Sequence, residues 1–271
     1  MVQIVLFFVI VLLGIYVFKA FPFEKGNVKN LVIAAIFIIL TAILKRLTIM
    51  IPLFGTESLK VGLEYIPLML AGYFLAPSYA FLIGLASDLI GLILVPTGFP
   101  FLGFTLVMIL VSVIPSLVKN YIVHYKQHLS QTFVSHLAEI VIVLMGIGAV
   151  IYLYFLKEIK ISDTMHTLTM SAKLPLMMIC IVLVIAFIVI IHILKSKISE
   201  HQAHEFSVWI LCVTLTELVC TLCLTPLWLD IMYGIPYFVS LCIRVIKLCA
   251  VLPIEIFIGY SLIQLLNRIL R

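Results

Sequence analysis

The chain is divided by short polar links into apolar runs of about 20 residues, and this run length limits its fold more than any motif does. A helix of that length crosses a hydrocarbon core about 30 Å thick. Inside lipid every backbone N–H and C=O needs a partner within the protein, which leaves helices or closed barrels. The runs are continuous rather than alternating, so helices follow. Composition agrees: 65% of the 271 residues are apolar and 11% charged, whereas a water-facing domain keeps roughly 25% charged. The pattern predicts spans at about 2–20, 28–46, 62–76, 78–95, 102–119, 136–156, 173–194, 206–228 and 236–268. The expected class is an all-α membrane protein of about nine transmembrane helices. The first run lacks the basic start of a signal peptide, since Lys19 follows it instead of preceding it, and it reads as a retained span.

The links constrain packing and orientation. Ala76-Pro77-Ser78 is so tight that the third and fourth spans must form an antiparallel helical hairpin. The polar stretches 121–131 and 195–205 read as aqueous loops. Placing the amino terminus outside and the carboxyl terminus in the cytoplasm puts nine of the 17 basic residues on the inner side. A net charge of +5 is too small to argue for nucleic acid. All six cysteines fall inside apolar runs; Cys220 and Cys223 have metal-like spacing but no second pair, so no metal site is expected. His201 and His204 lie with Glu200 and Glu205 in a polar link, where solvation accounts for them.

No G-x-x-x-x-G-K-[ST] run is present, so ATP phosphates are not cradled by this chain. Ser87 and Asp88 are adjacent and point about 100° apart on a helix, a poor nucleophile and base. No catalytic residue is expected, and the chain does not read as an enzyme. What remains is a set of cationic and aromatic residues toward one membrane face. Lys45 and Arg46 close the second span, Lys60 precedes the third, and Arg244 and Lys247 share a helix face at i, i+3 in the last. Snorkelling to the headgroups suits Lys45 and Lys60. It suits Arg244 and Lys247 less, because mostly apolar sequence precedes Arg244 within its span. The loop Pro96 to Thr105 carries two prolines, two glycines and three phenylalanines, a stiff turn. Its rings fit either an interfacial belt or a stacking platform for a flat heterocycle. Leu227 to Pro236 reads as a second aromatic-bearing turn.

Several segments in order resemble the folate family of S components, the substrate-binding subunits of energy-coupling-factor (ECF) vitamin transporters. They are KNLVIAAIFIILTAILKR at 29–46, LKVGLEYIPLMLAGYFLAP at 59–77, GLASDLIGLILVPTGFPFLGFT at 84–105, PLWLDIMYGIPYF at 226–238 and RVIKLCAVLPIE at 244–255. The resemblance implies a six-helix core with a substrate pocket at the outer face, a separate transmembrane coupling subunit and two partner ATPases. It makes Arg46, Phe99, Phe101, Phe104, Thr105, Trp228, Tyr233, Arg244 and Lys247 the expected substrate residues. The rings would stack on a pterin and the cations would pair carboxylates, with folate the first expected vitamin. Ala34, Ala35 and Ile39 would face the coupling subunit.

This chain departs from the family pattern at three places. The first core helix usually carries A-x-x-x-A, but Ile39 stands at the second position here, implying a bulkier contact or a dedicated partner. Thr225-Pro226 replaces an Asn-Thr pair that would supply an amide to a pterin edge, and Phe99-Pro100-Phe101-Leu102 alters the loop order. Expected segments are an extra N-terminal span (1–24), core helices one to four (25–119), an inserted two-span segment (120–205) and core helices five and six (206–271). The expected role is a multi-pass cell-membrane subunit that binds a vitamin, without a cofactor of its own. Alternatives are an S component for another vitamin such as riboflavin, or a membrane enzyme or assembly factor on the same scaffold.

Overall fold

The computed structural model describes all residues except 1, 24–27, 54–55, 95–99, 126–130, 156–157, 162–163, 168–169, 198, 236 and 271. Its helices are α1 (Val2–Ala20), α2 (Val28–Arg46), α3 (Tyr65–Phe74), α4 (Pro77–Leu94), α5 (Leu102–Tyr125), α6 (Gln131–Phe155), α7 (Met170–Lys197), α8 (Glu200–Thr216), α9 (Thr225–Tyr233) and α10 (Tyr237–Leu270). An eight-residue π-helical stretch, Glu217–Leu224, joins α8 to α9. Six helical stretches among the described residues are long and apolar enough to cross a bilayer. They are Val2–Ala20, Val28–Arg46, Pro77–Leu94, Leu102–Ile122, Lys173–Ile193 and Gln202–Tyr233, with α3 and Glu139–Gly148 as shorter apolar helices. The chain is an all-α, multi-pass membrane protein.

Two short antiparallel hairpins sit in links where the sequence suggests only loops. In one, β1 (Ile49–Leu53) pairs with β2 (Thr56–Val61), matching Met50 to Lys60, with a register shift between Ile51 and Leu53. In the other, β3 (Glu158–Ile161) pairs with β4 (Thr164–Thr167). Alternating apolar and polar residues explain them: S-L-K-V at 58–61 and E-I-K-I at 158–161 have period-two patterning. The two expected aqueous loops are also shorter than the sequence suggests. Helix α5 runs on to Tyr125, and α7 reaches Lys197 before α8 opens at Glu200. Ser199 explains the restart, because its hydroxyl accepts from the Gln202 amide while the Gln202 side chain accepts from the Ser199 amide.

The chain forms two compact units. The first comprises Met1–Thr48, Gly62–His128 and Ile258–Arg271; the second comprises Ile49–Val61 and Leu129–Phe257. In the first unit α5 packs on α3 and α4, α2 lies on α3 and α4, and α1 lies on α4 and α5. Pro77 opens α4 directly after the short α3, so the hairpin expected from Ala76-Pro77-Ser78 is present. Glycine lets its backbones approach. A Cβ at Gly72 would clash with the Ser112 carbonyl oxygen, and one at Gly84 would meet Ile109 Cα and the Met108 oxygen at 2.6 Å. Ser112 seals this seam by donating to the Ala80 carbonyl at 2.7 Å, and Ser116 donates to Leu75 at 2.8 Å. On α1, Gly14 faces the Phe81 ring and Phe18 packs edge-on to it.

In the second unit α6 packs on α7 and α8. Glu139 of α6 accepts from Lys195 of α7 at 3.2 Å and lies near the exposed His136 and His192. Trp209 of α8 is fully buried and donates its indole N–H to the Ile256 carbonyl of α10 at 3.1 Å.

Because the clash at Gly72 is with backbone, it cannot be relieved by a rotamer change. Gly72→Ala should cost about 1–3 kcal/mol, the usual overpacking penalty, and appear as a lower unfolding midpoint in detergent. Gly148→Ala, where an added Cβ meets nothing, should leave the midpoint unchanged or raise it.

Candidate functional site

The expected substrate residues fall into both units. In the first, Arg46 is exposed at the end of α2 and donates to the Leu94 carbonyl at 2.8 Å, closing an orphan carbonyl at the end of α4. Phe101 is buried, with its ring 5.8 Å from and edge-on to that of Phe104. Phe99 lies outside the described residues. Thr105 is buried in the first turn of α5, and its hydroxyl donates to Asp88 at 2.7 Å.

Asp88 organises this end of the unit. Its carboxylate is buried on α4 and receives Thr105 on one oxygen and the Lys45 ammonium on the other, at 3.4 Å. Lys45 therefore does not snorkel, which corrects the sequence expectation. An intramembrane carboxylate offers the ammonium more than the headgroups do, since leaving Asp88 uncompensated would cost several kcal/mol. Gly91, one turn beyond Asp88, opens the path: a Cβ there would lie 2.7 Å from Lys45 Nζ. At the same end Gln3 of α1 donates to the Pro100 carbonyl and accepts from the Leu102 amide, each at 3.3 Å. Helix α1 thus holds the start of α5.

In the second unit, Trp228 is buried on α9 and Tyr233 is exposed at its last residue. The expected turn at 227–236 is largely helical: Pro226 fits the first turn of α9, and Gly234 ends it at φ +65°, the left-handed cap that glycine favours. Arg244 and Lys247 follow on α10, and the Arg244 Nε donates to Ser240 one turn earlier at 3.3 Å. Two acidic residues accompany them. Glu217 opens the π-helical stretch and Glu255 lies on α10; they are 2% and 1% exposed. Their carboxyl groups are within hydrogen-bonding reach of each other, and Glu217 also reaches the Thr221 hydroxyl. Lys247 acts electrostatically on both acids, and Arg244 on Glu217. Thr225 donates to the Cys220 carbonyl at 2.6 Å, satisfying a carbonyl within the widened helix. π-helical turns often mark functional positions.

Reasoning from the sequence named the cations and missed these acids. The signal was present, because Glu217 and Glu255 stand inside apolar runs, where ionisable residues mark function or a partner. Of the expected coupling residues on α2, Ala34 is half-buried, while Ala35 and Ile39 are exposed. Cys212 and Cys220 are buried, and Cys223 is exposed. Among the described residues no three His, Cys, Asp or Glu side chains are placed to hold a metal ion.

A family model described as the ECF-type riboflavin transporter, S component, matches residues 25–199, about two thirds of the chain. The chain belongs to this family. The match enters at α2, runs through the segment expected to be an insertion, and stops before α8. No curated protein matches the chain, and no solved structure does. The S component is thereby a non-enzymatic subunit of a vitamin transporter.

Asp88 should matter to this S component more than its neighbours on α4. Asp88→Asn removes the charge opposite Lys45 but retains an acceptor for Thr105, and should cost about 1.5–3 kcal/mol, the range for charge-assisted hydrogen bonds. Adding Lys45→Met should recover part of that loss, and a thermal-unfolding double-mutant cycle measures the coupling.

Proposed function

We propose that this S component captures riboflavin at the outer membrane face and delivers it for import driven by a separate coupling subunit and two ATPases. The supporting observation is charge balance. Of the three cations expected to receive ligand carboxylates, Lys247 acts on Glu217 and Glu255 and Arg244 on Glu217, while Arg46 donates to the Leu94 carbonyl; Lys45 beside it meets Asp88. A site whose cations are offset internally has less need of a dianion such as folate. It suits a flat, uncharged ring system held by aromatic faces, and riboflavin is that kind of vitamin. The family description names riboflavin as well.

Within this reading Phe99, Phe101, Phe104, Trp228 and Tyr233 supply ring contacts. Thr105, Arg46, Arg244 and Lys247 supply hydrogen bonds to the carbonyl and hydroxyl groups of the ligand. Folate is the second reading, favoured by the ordered segments at 29–46, 59–77, 84–105, 226–238 and 244–255. Ala34, Ala35 and Ile39 on α2 form the contact with the coupling subunit, with Ala35 and Ile39 already exposed. The amino terminus lies outside and the carboxyl terminus in the cytoplasm.

Riboflavin fluoresces, so purified protein in detergent should quench it at micromolar concentration or below. Mass spectrometry of small molecules released from the purified chain should find a flavin. Retention of a folate and no flavin would move the assignment to the second reading. Binding of neither, with no ATPase subunits copurifying from the native membrane, would point to an enzyme or assembly factor on this scaffold.

A further inference from the structure

Helix α1 meets the rest of its unit along one side. Its buried residues, Leu6, Ile10, Gly14 and Val17, follow one another at spacings of four, four and three. Gln3 extends the same stripe by one more step of three. Rings anchor the far end of the helix: Phe18 packs on Phe81 with ring centres 5.4 Å apart, and Phe23, just past the helix, packs on Tyr79 at 4.9 Å. Only Gln3, Tyr16 and Lys19 of α1 can hydrogen-bond through their side chains, and a polar group on the packed side of a membrane helix forms specific contacts. Here the contact is with the backbone around Phe101. The Pro100 carbonyl, to which the Gln3 amide donates, belongs to the peptide before Phe101; the Leu102 N–H, which Gln3 accepts, belongs to the peptide after it. One side chain therefore holds both peptide planes that the φ and ψ of Phe101 relate. The Phe101 carbonyl in turn accepts from the Phe104 N–H at 3.0 Å, and the two rings meet edge-on. Gln3 and Pro100 are exposed and Phe104 is half-buried, so the clamp lies at the rim of the unit and part of the ring pair stays open.

We infer that Gln3 is a positioning residue for vitamin binding: it fixes the Phe101 backbone, and through it the ring pair that receives the flat face of the ligand. An amide suits this task because it donates from nitrogen and accepts at oxygen at once. The two partners also decide which end is which, since the carbonyl needs the nitrogen and the N–H needs the oxygen. The Leu102 N–H is one of those that α5 cannot satisfy at its own start, so Gln3 caps α5 from a different helix. Without the clamp Phe101 samples other backbone angles, and only the fraction with the rings correctly set binds ligand. The family match begins at residue 25, past α1. The inference rests on the reading that Phe101 and Phe104 contact the vitamin.

The test compares riboflavin binding to the purified full-length parent, Gln3→Met and Gln3→Glu, well below their unfolding temperatures. Gln3→Met keeps the length of the side chain and loses both hydrogen bonds, and should weaken binding about three- to tenfold as the competent fraction falls. Gln3→Glu can only accept while ionised. It should bind weakly near neutral pH and recover towards the parent as pH falls below about 5, where a protonated carboxyl group donates to Pro100 as the amide does. The parent's own pH dependence is the baseline. A merely structural role would lower the unfolding midpoint without this recovery. Amide exchange in ligand-free protein reads the clamp separately: the Phe104 N–H, which Gln3 does not touch, should exchange faster in Gln3→Met. Unchanged riboflavin affinity in folded Gln3→Met overturns the inference, and so does a Gln3→Glu affinity that stays a fixed multiple of the parent's across pH. A parent that binds no riboflavin defeats the functional reading instead. Exchange then decides alone: faster exchange at Phe104 keeps Gln3 as the residue that positions the ring pair, and unchanged exchange removes it.

Discussion

A charge inside a bilayer must be neutralised by the protein that carries it, and that requirement shapes both units of this S component. A buried ion left alone costs several kcal/mol, more than a buried leucine side chain returns. In the first unit the solution is local: Lys45 bends to Asp88 past a glycine, and Thr105 completes the carboxylate. In the second, Glu217 and Glu255 lie within electrostatic reach of Lys247, and Glu217 of Arg244, with Thr221 and Ser240 taking part of the hydrogen bonding. Helix ends use the same logic. Arg46 and Lys119 spend donors on the carbonyls of Leu94 and Tyr73, and the Lys119 ammonium also lies 4.0 Å from the centre of the Tyr73 ring.

The helices were readable from the sequence because span length is set by the bilayer rather than by side-chain detail. Expected and observed limits agree for α1 and α2, and differ by a few residues for α3 and α4. Errors gathered at polar links. Polarity was read there as loop, but polar residues at a membrane surface sit equally well in a helix that projects beyond the lipid. Helix α5 therefore continues through Asn120 and Tyr121, and the capping box at Ser199 restarts a helix where solvation alone suggested a turn. The hairpins were missed because short period-two segments between long apolar runs carry little weight in a hydropathy reading.

The site was readable only in part, and the physical reason is pairing. A sequence shows that Arg244 and Lys247 share a face of one helix, because their spacing is local. That Glu217 reaches Glu255 depends on how α8 and its π-helical continuation lie on α10, which no local spacing encodes. Cations therefore looked available to a ligand, and an anionic vitamin seemed the natural partner. With Asp88, Glu217 and Glu255 in place, the same cations are already engaged with the chain. The ordered segments that carry the resemblance are local patterns of the same kind, and they too leave such pairings out.

The segment at 120–205 bears on the same question. The family match passes through it rather than ending at its edge, and α6 and α7 are bound by an internal ion pair as well as apolar contact, through Glu139 and Lys195. Helix α1 acts by direct contact. Gln3 binds both the Pro100 carbonyl and the Leu102 amide, and the Phe81 ring fills the space above Gly14. It braces the start of α5, from which Phe104 and Thr105 project. That restraint lowers the number of conformations the aromatic end of the first unit can adopt.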